Sequence, residues 1–194
     1  MDGIDCAGKT TLASSLARVL TAGGLRVIQA SVDDFHRPRA IRYRQGEESA
    51  RGYFEDAFDY DALRSALLLP LGPGGSRRYR RAVFDHRTDM PVHAPEEIAP
   101  DDCVLIVDGV FLLRPELIDL WDFRIFVDVS FDVALRRAIE RDRDLFGTAE
   151  VVKKRYHQRY FPAQCLYLDG ARPRKKADIV VKNDDVKSPR CEQD

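Results

Sequence analysis

Several common features are missing from this 194-residue sequence. None of its four cysteines belongs to a CxxC pair, so the sequence predicts neither a zinc site nor a disulfide framework. No apolar run approaches the roughly 18 residues that a membrane-spanning helix needs. The amino terminus has no apolar signal segment, because Asp2 and Gly3 follow the first residue directly. We therefore expect a cytoplasmic protein with reduced thiols and no membrane partner.

An excess of basic residues is also missing. Lysine and arginine total 31 against 32 aspartate and glutamate residues, which gives a formal net charge of −1. Domains that bind nucleic acids usually carry a broad basic surface, so we expect no nucleic-acid partner. With 44% hydrophobic residues and no internal repeat, the chain fits one globular domain.

Apolar blocks alternate with helical patterns along the chain, which predicts an α/β fold with a mainly parallel sheet. The predicted strands are residues 25–31, 79–84, 103–107, 123–129 and 177–181, with 79–84 at an edge of the sheet. The predicted helices are residues 10–21, 60–69 and 132–143, and a further helix from Thr148 to about Tyr160.

The domain organisation follows from the same reading. Residues 1–186 are predicted to form a single domain, and residues 187–194 a frayed tail. The segment at about 141–148 reads as a mobile lid rather than as a linker between domains.

A phosphate-binding pattern lies at the start of the chain. Gly3, Gly8, Lys9 and Thr10 meet the spacing GxxxxGK[ST] in full. Glycines let such a loop curl so that backbone N–H groups point at phosphate oxygens, the lysine adds a positive charge, and the hydroxyl can coordinate Mg²⁺. A chance glycine turn is the alternative, which we disfavour because a periodic helix follows in the required place. The predicted ATP-binding residues of this loop are Gly3, Asp5, Cys6, Ala7, Gly8, Lys9, Thr10 and Thr11.

Acidic residues follow two of the predicted strands. Asp33 and Asp34 come after the strand at 25–31, and Asp108 comes after the strand at 103–107. Ligands of open α/β sheets bind beyond the carboxyl ends of the strands, and phosphoryl transfer needs one carboxylate near Mg²⁺ and another to orient or deprotonate the attacking hydroxyl. We therefore predict Asp108 as a metal ligand beside Thr10. Solvated turn acids are the alternative.

Arginines are concentrated in one helical stretch, at positions 136, 137, 141 and 143. Arginines on a closing lid can neutralise the charge of a phosphoryl group during its transfer. A solvated helix face, with Glu140 and Asp142 as partners, is the alternative for each of them.

In the order of its motifs along the sequence, the chain resembles the uridine kinase-like branch of the P-loop kinases, which has relatives among phosphoribulokinases and pantothenate kinases. The resemblance covers nearly the whole chain. It rests on residues 3–11, 32–38, 56–59, 83–88, 107–110, 141–144 and 177–181.

The resemblance implies a P-loop NTPase three-layer fold with a small lid, and phosphorylation of a primary hydroxyl by ATP with Mg²⁺. The usual acceptor is the 5′-hydroxyl of uridine or cytidine. The resemblance further implies that Asp33 is the catalytic base and that Asn183 packs near adenine. Three arginines are implied to lie on or beside the lid: Arg137, Arg141 and Arg143. Family members often self-associate, so a homo-oligomer is implied as well.

Departures from the family pattern put the acceptor in doubt. Asp108 stands where nucleoside kinases often carry glutamate, and Phe84 and Asp89 replace a tyrosine and a histidine that frame the base. The family's sugar-binding acid would fall near Tyr53 of this chain. A kinase of the same fold acting on pantothenate, a sugar or a sugar phosphate is therefore an alternative. A nucleotide-binding regulatory module without turnover is another, and Asp33 argues against it because a binding module needs no base.

The start of the chain departs from the family too. A phosphate loop of this kind should follow a buried strand, and a strand takes about five residues, whereas only Met1 and Asp2 precede Gly3. We therefore expect that the first strand is truncated and that the natural protein starts further upstream.

Overall fold

The computed structural model describes residues 1–192. Ten strands are assigned within that range: β1 (Asp2–Gly3), β2 (Arg26–Ser31), β3 (Arg78–Tyr79), β4 (Phe84–Asp85), β5 (Met90–Pro91), β6 (Glu97–Ile98), β7 (Cys103–Asp108), β8 (Ile125–Asp128), β9 (Ile179–Lys182) and β10 (Arg190–Glu192).

The α-helices assigned within the same range are α1 (Lys9–Ala22), α2 (Arg39–Arg42), α3 (Ala50–Asp56), α4 (Tyr60–Leu63), α5 (Leu69–Leu71), α6 (Phe131–Phe146), α7 (Ala149–Arg155), α8 (Phe161–Ala171) and α9 (Pro173–Lys176). Short 3₁₀ helices cover Val32–Phe35 and Ile118–Leu120, and π-helical segments cover Arg64–Leu68 and Tyr156–Tyr160. None of the helices in residues 1–192 is both long and apolar enough to cross a membrane.

The central sheet is mainly parallel, as the sequence predicts. Strand β2 pairs with β7 in parallel from Arg26–Cys103 to Ser31–Asp108, and β8 pairs in parallel with both β1 and β9. A bridge between Asp2 and Gly109 joins these two groups of strands. The resulting order is β2-β7-β1-β8-β9, and the antiparallel β10 follows β9 at the edge.

The first strand is present, although only two residues long. Asp2 and Gly3 pair with Phe126 and Val127 of β8. On the other side, the Met1 nitrogen donates to the Val107 carbonyl oxygen at 2.6 Å. A strand of this length agrees with the expected truncation, and backbone pairing on both sides holds it between β7 and β8. The expected start further upstream stays a prediction.

Helices cover both faces of the sheet, which gives the three layers. One apolar cluster includes Phe35, Phe111 and Tyr167, and a second includes Val127 and Ala138. In a third cluster, small residues of α1 pack on Ile106 of β7. Helix α1 lies directly after the phosphate-binding pattern, as its periodicity predicts.

Two predicted elements differ from the structure. The predicted edge strand at 79–84 was wrong: β3 pairs with β6, whereas β4 pairs with β5, so the segment belongs to two separate two-stranded ladders. The tail from residue 187 is not frayed throughout, because Arg190–Glu192 pairs with β9 and Glu192 forms an ion pair with Arg174 at 2.7 Å. The rest of that predicted tail, residues 193 and 194, lies outside the described residues.

The buried carboxylate of Asp2 links β1 to the segment after β7 and to α8. It accepts a hydrogen bond from the Leu112 N–H at 3.3 Å and one from the Tyr167 hydroxyl. Burial raises the pKa of Asp2 above its usual range. The protonated form is therefore favoured in the folded state, so this group contributes most stability below its unfolded pKa, and that contribution is lost as pH rises through the folded pKa.

We expect Asp2→Ala to lower the free energy of unfolding by about 1–3 kcal/mol, because two buried donors lose their acceptor. Asp2→Asn should cost less and should reduce the decline of stability between acidic and neutral pH. Urea unfolding at several pH values measures both effects. The exposed Asp122→Ala is the control, and equal behaviour of Asp2→Ala and Asp122→Ala would contradict the assignment.

Candidate active site

Close packing fixes the shape of the loop between β1 and α1. Gly8 has a φ of 91°, and a Cβ there would lie 2.6 Å from the Asn183 side-chain nitrogen. A Cβ on Gly3 would lie 2.4 Å from the Val127 carbonyl oxygen. Neither position has room for a larger residue, so both glycines of the pattern are required by the structure.

Two predicted site residues support this loop from outside. The Asn183 side-chain amide donates to the Ala7 carbonyl oxygen at 2.7 Å. The Arg137 guanidinium donates to the Asn183 carbonyl oxygen at 2.6 Å and lies 3.4 Å from the carbonyl oxygens of Cys6 and Ala7. Both side chains thus hold the loop against the end of β9. The implied contact of Asn183 with adenine stays a prediction.

The loop lysine is folded into the curve of the loop. Lys9 is buried, and its Nζ donates to the Ile4 carbonyl oxygen at 2.7 Å. Cys6 has a φ of 59°, and its Sγ lies 3.4 Å from the Tyr156 hydroxyl. Thr11 is exposed on the first turn of α1. The positive charge of Lys9 therefore lies where the loop N–H groups would receive phosphate oxygens.

The predicted metal ligands lie in contact. The Thr10 hydroxyl donates to the Asp108 carboxylate at 2.6 Å. Asp108 is buried, and this burial raises the pKa of its carboxyl, against the opposing effects of Thr10 and Lys9. A carboxylate and a hydroxyl are oxygen ligands of the kind that Mg²⁺ takes, usually with one or two carboxylates and substrate phosphates. Residues 1–192 hold no cluster of three or more histidine, cysteine, aspartate or glutamate side chains that could bind a metal ion.

The predicted base lies at the same edge of the sheet. Ser31 at the end of β2 is in register with Asp108 at the end of β7, and Asp33 follows two residues later. The Ser31 hydroxyl accepts from the Asp33 N–H and donates to the Asp108 carbonyl oxygen, both at 3.3 Å. These contacts position the backbone of Asp33. Its side chain is exposed, so the carboxylate is open to an acceptor.

Aromatic rings line the space next to Asp33. The His36 Nδ1 bonds to the Asp33 carbonyl oxygen at 2.8 Å, and burial lowers the pKa of His36 to about 3, so this ring is neutral. The His36 ring lies 4.4 Å from that of Phe58 and 4.7 Å from that of His86. The neutral His36 ring therefore lies beside the predicted base, packed against His86 and the buried Phe58.

The predicted lid at 141–148 comprises the last turn and a half of α6, then Gly147 and the residue that caps α7, Thr148. Helix α6 ends at Phe146 and is followed by Gly147, which has a φ of 99°, and the Thr148 hydroxyl accepts from the Val151 N–H, as predicted for a helix start. Arg141 forms two hydrogen bonds with Asp142, at 2.6 and 3.0 Å. Arg143 is exposed, and its side chain has no hydrogen bond or ion pair within the described residues, although its carbonyl oxygen accepts from the Gly147 N–H at 2.8 Å. The motion of this segment stays a prediction.

Three residues of the site were not found from the sequence. Tyr53 of α3 donates to Asp5 at 3.3 Å, and Gln164 of α8 donates to the same carboxylate at 2.8 Å. Buried Arg159 lies over the Tyr53 ring and donates to the Glu47 carbonyl oxygen at 2.7 Å. The only sequence signal was the departure from the family pattern near Tyr53, because these contacts join residues 48, 159 and 112 positions apart, which no local pattern reports.

Comparison with known proteins agrees with this geometry. The model of the phosphoribulokinase/uridine kinase family matches residues 2–187. The chain belongs to that family. Membership of this kinase family supports a phosphotransferase with an alcohol as acceptor and the use of ATP. The assignment of the loop Gly3–Thr10 as the nucleotide site stays a prediction.

Relatives within the phosphoribulokinase/uridine kinase family carry different names. The chain is 29% identical over 176 residues to a uridine kinase of Leuconostoc citreum, covering 90% of this chain and 81% of that one. It is 30% identical over 167 residues to a pantothenate kinase of Bradyrhizobium sp., covering 79% and 51%. The structure of a possible uridine kinase from Bacillus stearothermophilus superposes with a TM-score of 0.73 at 28% identity, covering 92% and 84%.

We expect Lys9→Ala to weaken ATP binding and turnover together, since the ammonium contacts phosphates before and during transfer. Loss of a charged hydrogen-bond partner is worth about 1.5–3 kcal/mol, or roughly 10- to 150-fold in affinity. Titration with a non-hydrolysable ATP analogue measures the loss. Exposed Lys154→Ala is the matched control, and unchanged nucleotide affinity in Lys9→Ala would contradict the role of Lys9.

Proposed function

We propose that this protein is an ATP-dependent kinase of the uridine kinase type, which transfers the γ-phosphoryl group to a primary hydroxyl of a small molecule. The best candidate acceptor is the 5′-hydroxyl of uridine or cytidine. One observation carries the proposal: β2 and β7 bring exposed Asp33 and the Thr10–Asp108 pair to the same sheet edge. A nucleotide on the loop would therefore point its γ-phosphate toward an acceptor beside Asp33.

In this mechanism, Asp33 orients the acceptor hydroxyl and takes its proton. The acceptor oxygen forms a bond to the γ-phosphorus while the bond from that phosphorus to the β–γ bridging oxygen breaks, and ADP leaves. Lys9 and the loop N–H groups hold the β- and γ-phosphates. Arg141 and Arg143, on the segment that ends at Gly147, would balance charge on the moving phosphoryl group once the segment closes. Arg137 keeps the loop in shape.

Mg²⁺ fits the residues present. Thr10 and Asp108 would hold it, directly or through water, because their oxygens are adjacent and the buried carboxylate gains from a nearby cation. When bound, the ion would neutralise charge on the phosphates.

We further propose that the enzyme acts in the cytoplasm, which the four free cysteines support.

The choice of nucleoside rests on the half-buried rings of His36 and His86 beside Asp33, and the buried Phe58 packs against His36. Phe84 of β4 is buried and lacks the hydroxyl of the tyrosine that the family resemblance places there. A missing hydrogen bond is worth roughly 0.5–1.5 kcal/mol, so we expect loose discrimination among bases. The similarity to pantothenate kinases keeps pantothenate as the second candidate.

The test of the acceptor is an ADP-release screen with ATP and Mg²⁺ over nucleosides, pantothenate, sugars and sugar phosphates. We expect turnover with uridine or cytidine. Turnover with pantothenate or a sugar alone would overturn the nucleoside and leave the kinase chemistry in place. ATP binding without turnover on any acceptor would favour a regulatory module instead.

The test of the base is Asp33→Asn. We expect kcat to fall by about 10²- to 10⁴-fold while ATP affinity stays within about twofold, because the carboxylate acts on the hydroxyl proton. The exposed Asp169→Asn on α8 removes the same charge elsewhere and should leave kcat unchanged. Full turnover by Asp33→Asn would remove Asp33 from the mechanism.

A further inference from the structure

The phosphate-binding loop contains a carboxylate, which is an unfavourable group to place among phosphate oxygens. Asp5 stands in the middle of the loop, between Gly3 and Gly8. Its side chain contacts the helices on one side: Oδ2 accepts from the Gln164 amide at 2.8 Å, and both oxygens lie 3.3 Å from the Tyr53 hydroxyl. The carboxylate thus faces α3 and α8, and its position in the loop needs an explanation other than nucleotide binding.

Asp5 shares its surroundings with the predicted base. Partial burial raises the pKa of Asp5, and the nearby charge of Asp33 raises it further. Tyr53, which donates to Asp5, likewise has its pKa raised by burial and by the charges of both Asp5 and Asp33. Asp5 is partly exposed and Asp33 is exposed. Contacts link the two residues as well. The Tyr53 ring lies 6.3 Å from that of Phe58, which lies 4.4 Å from that of His36. The His36 ring in turn bonds to the Asp33 carbonyl oxygen. Asp5 and Asp33 therefore lie on the same side of the loop, the side of the predicted acceptor.

The Gln164 side chain provides an independent sign of a missing partner. It is fully buried, and its Oε1 has no hydrogen-bond partner among residues 1–192. This oxygen belongs to the same amide group as the nitrogen that donates to Asp5. A buried acceptor left without a donor costs about 1–3 kcal/mol, and native proteins rarely keep one without a partner.

The chemistry of these groups restricts what can bind between them. The carboxylate of Asp5 can accept more hydrogen bonds than Tyr53 and Gln164 supply, and the Gln164 oxygen can only accept. The matching ligand therefore carries several donors. A second anion would be repelled by Asp5 and Asp33, which disfavours sugar phosphates and favours neutral molecules with several hydroxyls.

We propose that Asp5 and Gln164 form a hydroxyl-binding subsite of the acceptor pocket, and that the acceptor is an uncharged polyhydroxylated molecule, such as a nucleoside or a free sugar. This inference rests on the proposed function. One acceptor hydroxyl is phosphorylated beside Asp33, and a second donates to the carboxylate of Asp5. Tyr53, backed by the Arg159 guanidinium 5.3 Å from its ring, keeps that carboxylate in place.

The test compares Asp5→Asn with the unmodified enzyme on uridine, 2′-deoxyuridine and 3′-deoxyuridine, which all retain the 5′-hydroxyl. In the unmodified enzyme, we expect one deoxy analogue to have a KM about 10- to 100-fold above that of uridine. Asp5→Asn should raise the KM of uridine by a similar factor, change that of the same analogue less than about threefold, and leave the KM of ATP nearly unchanged. If the screen identifies a sugar instead, its own deoxy analogues replace these.

Further variants separate a subsite from a structural role. Gln164→Leu removes the unpartnered oxygen and should raise the KM of the same acceptor, while Asp61→Asn, an exposed acid on α4, should change nothing. Melting temperature and affinity for a non-hydrolysable ATP analogue verify that each variant is folded. A raised KM for ATP with an unchanged acceptor KM would assign Asp5 to the phosphate cradle and overturn the proposal, as would equal losses on uridine and on both deoxy analogues.

A binding measurement distinguishes failure of this proposal from failure of the proposed function. Uridine, ribose and fructose are titrated into the enzyme loaded with the non-hydrolysable analogue. Binding that Asp5→Asn weakens about tenfold or more would support the subsite even if no acceptor were phosphorylated. Turnover of an acceptor whose binding does not depend on Asp5 would support the kinase and overturn the subsite.

Discussion

Two backbone hydrogen bonds join Met1 to Val107 and Gly109 and hold the short strand β1 in the middle of the sheet. The active site depends on them. The Met1 nitrogen donates to Val107, and the Gly109 N–H donates to the Met1 carbonyl oxygen at 3.1 Å. They place β1 beside β7, so that the loop leaving β1 meets Asp108 at the end of β7. The Thr10–Asp108 contact, the direction of α1 and the distance from the loop to Asp33 all follow from that placement.

The sequence predicted the part of the site that is local in the chain. The loop pattern, helix α1 and the acids after β2 and β7 are encoded by spacing and by apolar blocks, and the order of parallel strands then brings Thr10 and Asp108 together. Residues whose role depends on remote helices could not be predicted in this way. Tyr53 and Gln164 reach Asp5 only because α3 and α8 pack together.

The errors in the predicted fold have physical reasons of the same kind. Residues 79–84 have the composition of a strand, but their backbone partners are supplied by segments that no local pattern identifies, so two short ladders form. The polar composition near residue 190 suggests disorder, yet the open edge of β9 offers backbone partners and an arginine for Glu192. Whether a segment pairs at the edge of a sheet depends on which strand lies next to it, and the composition of the segment contains no information about that neighbour.

Carboxylates outnumber cations where the loop meets the sheet edge. Burial raises the pKa of Asp5, Asp34 and Asp108, while Lys9 opposes it at Asp5 and Asp108. A divalent cation beside Asp108 would compete with a proton for the same oxygens. As pH falls, the affinity for the metal, and with it the affinity for the nucleotide, should therefore begin to weaken at a higher pH than at a site made of solvent-exposed carboxylates.

The π-helical segment Tyr156–Tyr160 sets limits on how the length of this chain can change. It joins α7 to α8 without a break, and a π-helical turn contains one residue more than an α-helical turn. Deleting one residue within the π-helical turn would restore regular α-helix and leave α8 in nearly the same rotation relative to α7, because the wider turn absorbs the extra residue. The same deletion elsewhere in the helix, with the π-helical turn kept, would rotate the residues that follow by about 100°. Gln164 and Tyr167 would then turn away from Asp5 and Asp2 together, so the π-helical turn is the place in this helix that accommodates a change of one residue.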